Sequence, residues 1–336
     1  MIQVDNTLLC DVAKCDAAAI ARHVLHLSGT EAKIEADMGN VFHPAMEAHF
    51  GGRDKAAVVE VLRIEHVKLF PNNLQPENVA FSWENCRRVM ERYVDVRPVE
   101  RFPFVVLELE KVVGAPLADG IMFYAKRDMR VQDRQSGLSY PVDHKMRIGG
   151  GGNITEWWTK KFRMSSQMSG YCWMEQQQSG QPCGEAWVNA LGLIKVPNST
   201  SKCRVHKVPY LECGPEHVPM QMLVYQRRPE QIEAWRRDAV ILARHFDTLK
   251  RTFPSVEYLP AARRNGAFND GCTFCEFKKW CAVDFSAGMQ SGLVEYAEWA
   301  PWNEGSSAQG FGLKPVYSEG QPYPETGPIQ ASDIPY

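Results

Sequence analysis

The chain has 336 residues, a formal net charge of -2 and 23% charged residues. That balance does not advertise a nucleic-acid protein, so any contact with phosphates has to come from a local patch. No stretch approaches the roughly 20 apolar residues that a bilayer span needs. The opening MIQVDNTLLCDVAKCD lacks a basic region followed by an apolar one, so the expectation is a cytoplasmic setting. In that reducing compartment ten cysteines are expected to bind metal rather than pair as disulfides.

Taken in chain order, Asp16 to Ser28 and residues 31–50 read as helices broken at Gly29-Thr30. Residues 54–69 and 82–94 read as two more, separated by the turn-rich segment from Pro71 to Pro76. From Phe102 the texture changes to short strands rich in β-branched and aromatic residues: Phe104–Glu110, Ile121–Lys126 and Ser139–Lys145. The loop Gln132–Gly137 is hairpin-like. A glycine run from Gly149 to Gly152 precedes a long helix over 154–178, two strands over 185–196 and 203–212, and a helix over 229–251. A cysteine loop follows. Residues 286–336 are Gly/Pro/Ser-rich and read as a tail, disordered or loosely attached beyond Pro301. The expected architecture is α/β: one domain over 1–285 with a central mixed sheet flanked by helices, its N-terminal and cysteine-loop segments forming one helical subregion.

Two patterns carry chemistry. Cys272, Cys275 and Cys281 stand at C-x2-C-x5-C spacing, which wraps three sulfurs around one inorganic centre. Cys10 or Cys15 is available as the fourth ligand, so that the centre would staple the two ends of the domain. Four thiolates suit Zn²⁺ or an iron–sulfur cluster. The second pattern is Asp119 at the start of one strand with Asp143 and Lys145 on the next. Positions i and i+2 of a strand share a face, and two carboxylates with an ammonium can hold a divalent cation beside a phosphate. A D…DxK pattern alone is common by chance. Its context is not: His43 lies upstream on a helix, and Gln167 and Tyr171 lie downstream on one helical face. Lys160, Lys161 and Arg163 continue as a basic stripe suited to phosphates. The neighbouring Trp157-Trp158 pair suits core packing or stacking on unpaired bases.

The order His, Asp, DxK, QxxxY, CxxCx5C resembles the RecB-like branch of the PD-(D/E)XK nucleases over residues 7–282. Within that branch it looks like the iron–sulfur members typified by the AddB nuclease domain and the CRISPR-adaptation exonuclease. The resemblance implies a restriction-endonuclease-like core and a [4Fe–4S] cluster on Cys15, Cys272, Cys275 and Cys281. It also implies Mg²⁺ or Mn²⁺ bound by His43, Asp119 and Asp143, with Lys145, Gln167 and Tyr171 completing the catalytic set. Glu110, on the strand before Asp119, is available as an outer-shell carboxylate, although no motif places it there. Lys160, Lys161 and Arg163 would meet DNA that is single-stranded or has a free end. The setting implied is bacterial or phage-infected, in recombination, replication or a CRISPR-linked pathway with partner proteins. Three departures stand out: a long Asp119–Asp143 interval, no proline before Asp119, and Pro44 directly after His43, where it would kink the helix.

The implied reaction is metal-dependent hydrolysis of a phosphodiester, with an exonuclease as the expected form. Two rivals are weighed against it. Glycosylases of the endonuclease III type also end in C-x2-C-x5-C, but with a further Cys seven positions upstream, where this chain has Asn265. A non-catalytic DNA-binding or assembly protein of the same fold would be expected to have lost part of the set His43, Asp119, Asp143 and Lys145.

Overall fold

The computed structural model describes residues 1–30, 34–71, 81–149, 154–194, 202, 207–209, 218–268, 271–273, 275–283, 285, 289 and 292–302. In chain order the elements are β1 (Ile2–Asp5), α1 (Asn6–Lys14), α2 (Asp16–His23), β2 (Leu27–Gly29), α3 (Ile34–Phe50), α4 (Lys55–Leu69) and α5 (Trp83–Val96). Then come β3 (Phe104–Ala118), β4 (Ile121–Asp133), β5 (Ser139–Gly149), α6 (Glu156–Arg163), α7 (Ser166–Ser179) and β6 (Glu185–Ile194). The last are β7 (Met220–Gln226), α8 (Pro229–Thr252), α9 (Lys278–Cys281) and β8 (Val294–Tyr296).

The helices follow from spacing and capping. In α5 the buried Cys86, Val89, Met90 and Tyr93 recur at helical spacing, and the Ser82 side chain accepts from Asn85 N to cap the first turn. In α8 the buried Ile232, Trp235, Ala239, Ala243 and Phe246 form the same kind of stripe. Each large apolar side chain buried in this way stabilises the fold by about 1.5–3 kcal/mol. Asp5 and Asp54 cap α1 and α4 by accepting from Leu8 N and Ala57 N.

A mixed six-stranded sheet divides two cores. One holds Phe123, Tyr171, Trp173 and Trp235 between the sheet and α1, α7 and α8. The other holds Phe42, Met46, Leu62, Tyr93 and Met129 between the sheet and α3, α4 and α5. A third cluster packs Ile20 and Leu25 against Phe277 and Trp280 and so joins α2 to the cysteine loop. At Gly170 a Cβ would stand 2.8 Å from Trp235 and 3.2 Å from Phe123. Glycine there lets α7 lie close against both α8 and β4.

Several expectations change. The helix from Asp16 stops at His23, because His26 takes a left-handed conformation (φ 53) and the chain turns into β2, which pairs with β8. The helix expected over 154–178 is two. The buried Arg227 guanidinium donates to the Phe162 and Ser165 carbonyls at 2.9 and 3.3 Å, satisfying groups that the break between α6 and α7 leaves open. β1, α1 and β7 were not anticipated, and most of the strand expected over 203–212 lies outside the described residues. Composition drew a boundary at 285/286, yet β8 pairs with β2, Trp299 packs edge-on against His23 and Trp302 packs on Tyr124. Residues 294–302 therefore belong to the packed domain.

Candidate active site

β4 is central to the site because its neighbours leave it uncovered at one place. β3 pairs along one of its edges from end to end. On the other edge β1 covers Ile121–Tyr124 and β5 covers Met129–Gln132. Residues 125–128 therefore have no strand on that edge, and β5 continues past Val142 paired with β6 alone. The opening is the floor of a cleft of about 900 Å³. Its lining includes His43, Glu110, Lys126, Asp128, Asp143 and Lys145.

His43 approaches from α3, which runs unbroken through Pro44. Its Nδ1 stands 3.6 Å from Asp128 Oδ2 and 3.9 Å from Glu110 Oε1. Glu110 and Asp128 face each other across the β3–β4 pair, between the rungs Leu109↔Met129 and Lys111↔Arg127. Glu110 sits in the left-handed region (φ 48), an uncommon conformation for a residue with a side chain and one that clusters at functional sites. The His144 amide donates to Asp128 Oδ2 at 2.6 Å and fixes that carboxylate across the opening. Lys126 Nζ meets Glu110 Oε2 at 2.6 Å.

Asp143 and Lys145 share a face of β5, as alternation requires, and their charged atoms are 2.7 Å apart. Gln167 Nε2 donates to Asp143 Oδ1 at 3.3 Å and to Tyr171 Oη at 2.9 Å. Tyr171 Oη donates to the Lys126 carbonyl at 3.0 Å. The QxxxY pair thus ties α7 to both strands that flank the opening.

The electrostatics reflect three crowded carboxylates. Burial pushes the Asp143 carboxyl up to about 6, with Asp128 adding to the effect and Lys145 opposing it. Burial and the Asp128 charge also raise Glu110. Asp128 itself stays below the usual carboxylate range: burial would raise it, but His43, His144 and Lys145 outweigh burial. Burial would likewise lower Lys145, yet Asp143 and Asp128 hold the ammonium above its ordinary value. His144, buried and stacked on Phe50, is depressed to about 4 by burial and is a neutral structural group.

This arrangement fits a divalent cation. Ligand atoms of His43, Glu110 and Asp128 lie within 4.8 Å of one another. Glu110 Oε1 is buried without a hydrogen-bond partner among the described residues, as an oxygen reserved for a metal would be. Hard carboxylate oxygens with one imidazole suit Mg²⁺ or Mn²⁺.

Asp119 is not in this constellation. It is exposed in the turn before β4 and does not line the cleft, and strand rise separates Ile121 from Asp128 by about 23 Å. Asp128 stands where Asp119 was expected. The expected strand ended at Lys126, two residues short. Continuing the alternation from Lys126 would have put Asp128 on the same face.

Residues 7–282 match the PD-(D/E)XK nuclease superfamily. The chain belongs to that superfamily. No curated protein matches it. The α/β fold with its mixed sheet flanked by helices accords with the restriction-endonuclease-like core of PD-(D/E)XK nucleases, and no helix among the described residues is long and apolar enough to cross a membrane.

Beside the cleft of this superfamily member, α6 presents Lys160, Lys161 and Arg163, all exposed. The tryptophan pair divides: Trp158 is buried, whereas Trp157 is 77% exposed. Lys161 Nζ lies 4.8 Å from the Trp158 and Phe162 rings, and its ammonium is lowered by partial desolvation beside them and by the nearby Lys145 and Arg147.

The cysteines form a second grouping. Cys15 occupies the break between α1 and α2. A Cβ placed on Gly266 would stand 3.3 Å from Cys15 Cβ, 3.5 Å from Cys272 Sγ and 3.6 Å from Cys15 Sγ, so this glycine lies in a cradle between thiols from the two ends of the domain. Burial raises the Cys275 and Cys281 thiols, and the proximity of Cys15 and Cys272 adds to the shift. Polar ties reinforce the junction. Asp16 N donates to Asn265 Oδ1 at 2.9 Å, Arg263 Nε meets Asp16 Oδ2 at 2.6 Å, and Arg22 pairs with both Asp11 and Glu276. Cys10 points elsewhere, 3.3 Å from Ser166 Oγ. Thiols brought together from the two ends of the domain are of the ligand type that suits an iron–sulfur cluster or Zn²⁺.

Proposed function

We propose that the protein is a metal-dependent deoxyribonuclease, acting as an exonuclease on DNA with a free or single-stranded end. The observation that carries this reading is the meeting of His43, Glu110, Asp128, Asp143 and Lys145 at the uncovered stretch of β4, in a chain of the PD-(D/E)XK superfamily. A divalent cation held by His43, Glu110 and Asp128, with Asp143 adjacent, supplies water activation and charge neutralisation at the scissile phosphate when bound.

The remaining roles belong to the chain itself. Lys145, kept charged by Asp143 and Asp128, presents an ammonium to the phosphate and stabilises charge as it builds on the phosphoryl oxygens. Gln167 and Tyr171 hold Asp143 and the β4 backbone in place. Lys160, Lys161 and Arg163 meet the DNA backbone, and exposed Trp157 stacks on an unpaired base. Cys15, Cys272, Cys275 and Cys281 hold a [4Fe–4S] cluster that acts as a structural staple, because the cleft chemistry needs no electron transfer. Recombination, replication or CRISPR-linked end processing is the kind of pathway such an enzyme serves.

The test is incubation of the pure protein with end-labelled single-stranded DNA and Mn²⁺, with and without EDTA, beside a circular single strand. The reading predicts EDTA-sensitive loss of the linear strand and persistence of the circle. Degradation that is indifferent to EDTA contradicts a metal-dependent site, and equal attack on the circle contradicts an exonuclease.

A further inference from the structure

Behind the cleft, on the face of β4 that meets α7, lies a buried charge network that none of the roles above uses. Glu175 stands one turn beyond Tyr171 in α7, and its side chain is fully buried. It accepts from Arg127 Nη1 at 2.6 Å and from Arg130 Nε and Nη2 at 3.0 and 2.8 Å. Arg127 Nη2 also donates to Glu108 Oε2 of β3 at 2.7 Å and to Gln178 of α7.

This geometry has a consequence for the strands. Residues i and i+3 of a regular strand point to opposite faces, yet Arg127 and Arg130 reach the same carboxylate. Alternation must therefore break between them. The break falls at Asp128 and Met129, which both turn away from α7: Asp128 toward His43, and Met129 into the core under α3. β3 mirrors it on the facing rung. Glu108 joins the network on the α7 side while Glu110, two residues on, faces His43 and takes a left-handed φ; a register shift lies just before it, between Val106 and Glu108. A slip of one residue in either strand would send a carboxylate to the wrong face.

We propose that Glu175 is a positioning residue: by clamping Arg127 and Arg130 it fixes where β3 and β4 change face, and so aims Asp128 and Glu110 at the cation. The proposal rests on the metal-dependent reading above. The test is Mn²⁺ binding, followed by the electron paramagnetic resonance signal of the free ion, for wild type, Glu175→Gln and Arg130→Gln, with thermal melting in EDTA beside it. The expected result is a rise of about 10- to 100-fold in the Mn²⁺ concentration for half-saturation, matched by the same rise in the Mn²⁺ needed for half-maximal cleavage, with cleavage recovered at high Mn²⁺. If Glu175→Gln does not fold, Arg130→Gln decides, since it keeps the Arg127 contact. Folded variants with lowered melting temperature but wild-type Mn²⁺ affinity overturn the proposal and leave a structural network only. Failure of the wild type itself to bind Mn²⁺ overturns the metal reading and this proposal with it.

Discussion

The difference between Asp119 and Asp128 is set by where a strand ends. Both residues sit in or beside β4, but only Asp128 belongs to the stretch that β1 and β5 leave uncovered. The DxK and QxxxY pairs were legible because each motif is local: strand or helix periodicity alone puts its two members on one face. His43 was singled out by the order of the motifs and the family resemblance. The pairing of Asp128 with Glu110 was not legible, because the expected strand stopped at Lys126 and the break in alternation just beyond Asp128 arises from contacts with α7 that no local pattern encodes. Lys145 makes a prediction at this scale. Lys145→Gln removes the ammonium proposed to meet the phosphate and should lower kcat by about 10²–10³-fold, measured at saturating Mn²⁺, while leaving Mn²⁺ half-saturation within a few-fold of wild type. A large loss of metal affinity with unchanged kcat at saturation would place Lys145 in metal binding instead.

Among the elements, α6 shows what helical spacing can and cannot tell. The sequence could not choose between packing and stacking for Trp157 and Trp158, since adjacent residues of a helix point about 100° apart and either could face the core. The structure divides them. Trp158→Ala should cost about 3–5 kcal/mol of stability. Trp157→Ala should leave the melt unchanged and weaken single-strand binding by about 1–3 kcal/mol, read by fluorescence anisotropy with a labelled oligonucleotide. Unaltered affinity would remove the stacking role. The layer formed by α3, α4 and α5 makes a pH prediction. His49 and His66 donate to the Arg97 and Phe81 carbonyls, and burial lowers both below the ordinary histidine range. The unfolded chain therefore takes up protons near pH 6.5 that the folded chain refuses. Stability should be full above that pH and fall as pH drops below it, and His66→Gln should flatten the slope of melting temperature between pH 7.5 and 5.5. An unchanged slope would mean that His66 is protonated in the folded protein.

Over the whole molecule, the two ends of the domain meet at the cysteine cradle, and the last described turn returns to the cleft, where Trp299 and Pro301 line the wall. The cysteine spacing made the first of these legible. The second was hidden because Pro- and Gly-rich composition reports the absence of periodicity, not the absence of packing. The proposed cluster would close a loop of most of the chain through one centre and so convert binding energy into folding energy. Cys275→Ala should abolish the absorbance near roughly 400 nm given by a thiolate-bound iron–sulfur centre and lower the melting temperature by several degrees, whereas Cys183→Ala should leave the spectrum intact. Anaerobically purified protein with one zinc and no iron or sulfide would contradict the cluster while keeping the staple. The central claim is that the cleft at the uncovered stretch of β4 is the hydrolytic centre. Its most direct test is Mn²⁺-dependent cleavage of end-labelled single-stranded DNA by wild type, Asp128→Asn and Asp119→Asn side by side. The account predicts that Asp128→Asn loses at least about 100-fold in rate, some 2.7 kcal/mol in the barrier, while Asp119→Asn cleaves like wild type. Near wild-type cleavage by Asp128→Asn, or loss of cleavage in Asp119→Asn, would contradict it.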